Sequence, residues 1–153
     1  MKTLIVYYSR TNVTKGIANR IQKELGCDIE EITDGGKYDG KLGFLKGGMN
    51  ATMGRPSDIN PPTKNAADYD LVIIGTPVWS SNMAPPIFTY LIQNRTKIKS
   101  MASFCTCMGG GYDKALEKIA EVSGKEQIST MFLTSKDIEN PSEKINKFIN
   151  KIE

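Results

Sequence analysis

The feature that most constrains this chain is an alternation. Five short apolar runs are each followed by a stretch with helical spacing, and no two apolar runs stand side by side. Residues 4–8 are apolar on both faces, as a strand covered by helices on both sides should be. A polar turn follows, and then Ile17, Ala18, Ile21 and Leu25 recur at helical spacing until Gly26 stops the helix. Residues 27–32 read as a second strand, with the weaker alternation of an edge. Residues 71–75, Leu-Val-Ile-Ile-Gly, are the clearest buried strand. Pro85-Pro86 then open a helix striped by Ile87, Phe88, Leu91 and Ile92. A fourth strand, 101–107, precedes a helix that buries Leu116, Ile119 and Ala120 and ends at Gly124. A fifth, 128–133, precedes a helix announced by Asn140-Pro141-Ser142-Glu143 and striped by Ile145, Phe148, Ile149 and Ile152. Between 33 and 68 the pattern loosens. The spacing of Leu42, Leu45, Met49 and Met53 predicts a short, glycine-loosened helix near 40–53.

Strict alternation of this kind dictates a parallel sheet joined by right-handed crossovers, with helices on both faces: a three-layer α/β/α fold. No internal repeat or composition shift divides residues 1–153, so one domain is expected. Ligands in such sheets bind beyond the carboxyl ends of the strands, where strand order reverses.

Composition removes several chemistries. The chain has no histidine, which excludes Ser-His-Asp and Cys-His catalysis and the commonest metal ligand. Its three cysteines are too few for a disulfide framework or a metal site. Cys105 and Cys107 read as small residues near a strand end. The net charge of +3 is spread among acids rather than clustered with aromatics, so no nucleic-acid surface is expected. No apolar run approaches the roughly 20 residues that span a bilayer. The opening segment reads as a strand rather than a signal peptide, which leads to the expectation of a cytoplasmic protein without a membrane contact.

Three strand-end loops carry the chemistry. The first, Ser9-Arg10-Thr11-Asn12-Val13-Thr14, offers three hydroxyls and an amide beside the unpaired N–H groups of a helix N-terminus, a ready anion site. A capping role for Thr11 or Asn12 is the plain alternative. The second loop includes Pro77, Val78, Trp79, Ser80 and Asn82, and Trp79 is the only tryptophan. An indole here can stack on a flat heteroaromatic or tuck against the next helix. The third loop is Cys107-Met108-Gly109-Gly110-Gly111-Tyr112, whose glycines let backbone approach a ligand.

The first loop resembles the phosphate loop of flavodoxins, Ser/Thr-x-Thr-Gly-x-Thr, with Ser9, Thr11 and Thr14 at the hydroxyl positions. Asn12 replaces the usual glycine, and Asn tolerates the positive φ that glycine would supply. The resemblance implies the strand order 2-1-3-4-5 with FMN at the switch point. It also implies that Trp79 and Tyr112 cover the two faces of the isoalloxazine. Acids after strand one (receiver domains), a Cys-x₅-Arg loop (small tyrosine phosphatases) and Gly-x-Gly-x-x-Gly are all absent.

The function this resemblance implies is non-covalent FMN carriage of electrons between redox protein partners, with no catalytic residue in the chain. An FMN-dependent oxidoreductase passing electrons from NAD(P)H to a quinone-type acceptor, as a monomer or homodimer, is the alternative. A flavodoxin-like module without FMN is a third. The stretch from Gly43 to Gly54 could lie near the site or build an interface. Two residue-level departures accompany these expectations. The chain is mildly basic where carriers are acidic. Ser80 also stands where carriers often have glycine, so a positive φ there is expected to be penalised.

Overall fold

A computed structural model describes residues 1–153. The strands are β1 (Thr3–Tyr7), β2 (Asp28–Glu31), β3 (Leu71–Trp79), β4 (Asn82–Met83), β5 (Met101–Thr106) and β6 (Gln127–Leu133). The helices are α1 (Val13–Leu25), α2 (Gly40–Thr52), α3 (Pro85–Asn94), α4 (Tyr112–Ser123), α5 (Ser135–Glu139) and α6 (Ser142–Asn150). Five strands pair in parallel in the order β2-β1-β3-β5-β6, and the two-residue β4 pairs antiparallel with β3 alone. Leaving β4 aside, this is the expected 2-1-3-4-5 arrangement. No helix is long and apolar enough to cross a membrane.

Alternation along the strands builds two cores. Leu4, Val6, Val72 and Ile74 face one cluster, which also holds Ile87, Tyr90 and Leu91 of α3 and Ile119 of α4. Ile5, Tyr7, Ile73 and Phe104 face the other, covered by Ile17, Ala18 and Ile21 of α1 and Ile145, Phe148 and Ile149 of α6. Successive strand residues point to opposite faces, so each central strand feeds both layers. Gly75 is fixed by closeness rather than by its dihedrals. A Cβ there would fall 2.3 Å from Phe104 Cζ and 3.0 Å from Tyr7 Cβ.

Two elements differ from the sequence expectation. The stretch after Gly75 is not an open loop: β3 continues to Trp79 and turns back through Ser80-Ser81 into β4. The last connection holds an extra helix, α5, so Asn140 ends a helix instead of starting one and Pro141 takes the N-cap position of α6. The cause lies one turn earlier. Thr134 and Asp137 form a reciprocal capping box, which starts α5.

Candidate functional site

At the carboxyl end of the sheet, where β1 and β3 part to opposite crossovers, a cavity of about 650 Å³ opens. Small-molecule sites typically measure about 300–1,000 Å³. A second cavity of about 670 Å³ lies at the other end, against Lys2, Leu25, Cys27 and Glu153. Helix α1 presents its C-terminal carbonyls toward that end, the wrong pole for an anion.

The N-terminus of α1 sits at the first cavity. Asn12 adopts the left-handed conformation, φ 67° and ψ 3°, as its chemistry predicts, but its side chain makes no capping bond. Ser9 Oγ instead accepts the N–H of Lys15 at 3.2 Å. The N–H groups of Asn12, Val13 and Thr14 are left without an intrahelical partner. Thr14 is buried, and its hydroxyl meets that of Thr106 at 2.9 Å, tying α1 to the end of β5. Lys15 is engaged with Glu31 at 2.9 Å. Arg10 lies 4.8 Å over the ring of Phe44 and has no carboxylate partner. Asn12→Ala is expected to weaken both fold and anion binding, destabilising by about 1 kcal/mol because alanine resists the left-handed region, whereas Asn12→Gly should leave both intact. Thermal melts and ligand titrations of the two variants check this.

From the second loop, Pro77, Val78, Trp79 and Ser80 line the cavity. Trp79 is 7% exposed and held edge-on by Tyr8 at 5.6 Å and Tyr38 at 5.4 Å. Gly47 of α2 allows this packing, since a Cβ there would reach 2.6 Å from the indole. Asn82 is not on the cavity wall: its amide donates to the Ala51 carbonyl at 2.9 Å and anchors the hairpin to α2. Ser80 and Ser81 have φ 50° and 60°. The expected penalty therefore does not keep Ser80 out of the left-handed region, because a two-residue hairpin with the strands' own twist requires positive φ at both positions.

From the third loop only Cys107 and Met108 reach the cavity. Gly109, Gly110 and Gly111 do not line it. Gly111, φ 80°, is where the chain passes Ser81, and a Cβ there would sit 2.9 Å from the Ser81 Cα. Tyr112 also lies off the cavity wall. One face of its ring stacks on Phe132 of β6 with centroids 3.7 Å apart and planes 6° apart, and Lys144 Nζ lies 3.9 Å over the Phe132 ring. One face of the Tyr112 ring is thus covered within the protein.

Ser9, Arg10, Thr11, Val13 and Thr14 complete the wall from the first loop, and Asn12 stands off it. The remainder comes partly from the stretch Gly43 to Gly54, for which a place near the site is one of two expectations, and partly from residues the sequence does not indicate. The first are Phe44, Leu45, Gly48, Met49 and Thr52 of α2, and the second are Thr106 of β5 and Ser135 and Ile138 of α5. The signals available for them were the helical period of 42–53 and the Thr134-x-x-Asp137 capping pattern.

The thiols and the phenol near the cavity are neutral at pH 7, beside the cationic Arg10 on its wall. Burial pushes the Cys107 thiol up and takes Cys105 to about 12. Burial, reinforced by Asp34, raises the Tyr8 phenol. Asp137 is the exception: the Lys144 ammonium at 2.8 Å and the Thr134 N–H bring it to about 2. A folded-state pKa below the unfolded one adds stability above the unfolded value, near 4, that is lost as pH falls toward 2. Asp137→Asn is therefore expected to lower stability at pH 7 and to narrow the gap to wild type between pH 4 and 2. Denaturant melts across that window test it. The site offers a compact anion cradle next to an apolar slot and no acid–base pair, an arrangement suited to binding.

A family model described as Flavodoxin matches residues 2–152. Among solved structures, a flavoprotein from Lactobacillus acidophilus NCFM in complex with FMN is 28% identical, with a TM-score of 0.75, covering 92% of this chain and 98% of that one. A WrbA-like flavodoxin from Agrobacterium tumefaciens shares the fold at 13% identity and TM-score 0.57, covering 98% of each chain. Flavodoxin 1 from Bacillus cereus does so at 17% identity and TM-score 0.54, again covering 98% of each. Comparison with curated proteins yields no match.

Proposed function

The chain belongs to the flavodoxin family, and from that premise we propose that it binds one FMN in the cavity at the carboxyl end of the sheet and exchanges electrons with protein partners. The observation that carries this reading is the uncapped N-terminus of α1. The N–H groups of Asn12, Val13 and Thr14 have no intrahelical partner and no side-chain cap, and Val13 and Thr14 line the cavity. That donor set fits a phosphate monoester, and the slot fits a flat ring. Asn12, Val13 and Thr14 would hold the phosphate through backbone N–H groups, with the hydroxyls of Ser9 and Thr11 beside them. Pro77, Val78, Trp79 and Cys107 would form the inner wall against the ring, and Phe44, Leu45 and Met49 the outer one. When bound, FMN supplies the redox chemistry. The protein's own part is to hold the ring, exclude water with apolar walls, and keep the neutral Cys107 thiol beside it.

The test is FMN uptake followed by an anaerobic reductive titration watched in the visible. A one-electron stage midway supports carriage. Direct passage to full reduction, together with turnover of NAD(P)H, replaces carriage with the two-electron reductase. Failure to load FMN removes the flavin site itself.

A further inference from the structure

Helix α2 is built inside out for a surface helix. It buries Gly43, Gly47 and Ala51, which let it lie close to Tyr38 and Trp79, and it turns larger apolar side chains to solvent. Leu42, Leu45, Met49 and Met53 are 83, 67, 58 and 56% exposed. They recur at intervals of three and four residues, the spacing of a single stripe down a helix. Leu45 and Met49 also line the proposed flavin cavity, so the stripe is continuous with the cavity mouth. Contiguous exposed apolar surface of this kind marks interaction sites.

Charge decides what covers it. Residues 40–55 carry Lys41, Lys46 and Arg55 and no carboxylate, and none of these three cations forms an ion pair. A second copy related by a two-fold axis would bring these unpaired cations against their own images, and like charges across an interface oppose it. An anionic membrane is favoured by clusters of about four to eight basic residues, more than this face holds. Two of the four stripe residues are methionines, side chains that repack readily against protein surfaces.

We infer that the outward stripe of α2 is the docking face for a redox protein that presents an apolar patch bordered by carboxylates. The inference rests on the electron-exchange reading of the adjoining cavity. It gives the partner a polarity: an acidic surface, steered in by Lys41, Lys46 and Arg55, placing its redox centre against the edge of the site where Leu45 and Met49 stand.

The probe is an acidic [2Fe–2S] ferredoxin, with cytochrome c as its basic counterpart. FMN uptake and reduction by a small photochemical donor are measured first, so failure of the flavin reading shows itself separately. Oxidised ferredoxin is then titrated into the isotope-labelled chain and followed by NMR, which reads docking with or without FMN. Saturable shifts or broadening confined to residues 41–55 and the cavity rim are expected. In the loaded protein, reduced ferredoxin passes one electron from its cluster to the flavin, at a rate that falls steeply with salt. The variant Leu42→Ser/Lys46→Glu/Met53→Ser touches no cavity residue. It should keep its FMN affinity and small-donor reduction and lose at least tenfold in the ferredoxin rate. Unchanged rates in the variant, amide shifts on another face, no saturable shifts, or a preference for cytochrome c overturn the assignment. So does a wild-type dimer that the variant dissolves, or binding to anionic vesicles in place of ferredoxin.

Discussion

FMN is expected to bind this chain about a thousandfold more tightly than riboflavin, a difference of about 4 kcal/mol. The two ligands share the ring and the ribityl chain, so the comparison isolates the phosphate. Its proposed partners are the N–H groups of Asn12, Val13 and Thr14, which the fold leaves without intrahelical partners. Hydrogen bonds to a charged group contribute about 1.5–3 kcal/mol each, and the helix pole adds about 0.3–2 kcal/mol. Desolvation of the phosphate offsets part of this sum. Lys15 adds little, since it is paired with Glu31. Most of the phosphate affinity is therefore backbone-derived and should survive Lys15→Ala. Fluorescence titration of both ligands gives the ratio. Riboflavin binding within tenfold of FMN would place the phosphate somewhere other than the end of α1.

Gly75→Ala is expected to destabilise the protein by about 3 kcal/mol, near the upper end of overpacking costs. For a chain of this size that lowers the melting temperature by about 6–12 °C. Two effects compete. Alanine is favoured over glycine in a strand by about 0.5–1 kcal/mol. Against that, the new methyl would stand 2.3 Å from Phe104 Cζ and 3.0 Å from Tyr7 Cβ. Phe104 is fully buried between β3 and the helices of the second core, so its ring cannot swing out to solvent. The steric term wins. The cause is checked by pairing the change with Phe104→Leu, which removes the colliding atoms. If the collision is responsible, the double variant is less destabilised than the sum of the singles by at least about 1 kcal/mol. Additive losses would locate the cost elsewhere.

How much could be read from the chain follows from how local each cause is. The alternation of strands and helices, the burial of residues 71–75, the left-handed Asn12 and the helix near 40–53 depend on near neighbours, and all stand in the structure. Tyr112 is different. Its stacking partner Phe132 lies twenty residues away on β6, and nothing in the glycine loop indicates that one face of the ring is already covered. Ser80 was judged by its own preference, yet the hairpin pairing of Trp79 with Asn82 imposes the turn. The outer wall was legible only as a stretch, Gly43 to Gly54, beside the site or at an interface, and not residue by residue. The apolar period of α2 marks a helix but not the face it buries, and its glycines take the inner position and turn that stripe outward. Only Thr134 and Asp137 were a local signal passed over, in favour of the proline seven residues beyond the threonine.

The order of strands also bears on when the site comes into being. Its wall draws on segments between residues 9 and 138, from the first crossover to the short helix after the last strand. Parallel pairings join distant parts of the chain, and such contacts form slowly because long loops must close first. The anion cradle is local to residues 9–14, but no short fragment contains the whole cavity wall, so a ligand that fills both cradle and slot meets the finished fold. What the ligand does is hold the finished state: at a hundred times its dissociation constant it adds about 2.7 kcal/mol against unfolding. Cofactor supply would then act as a brake on the turnover of this protein in the cell, since each opening of the fold must first release the flavin.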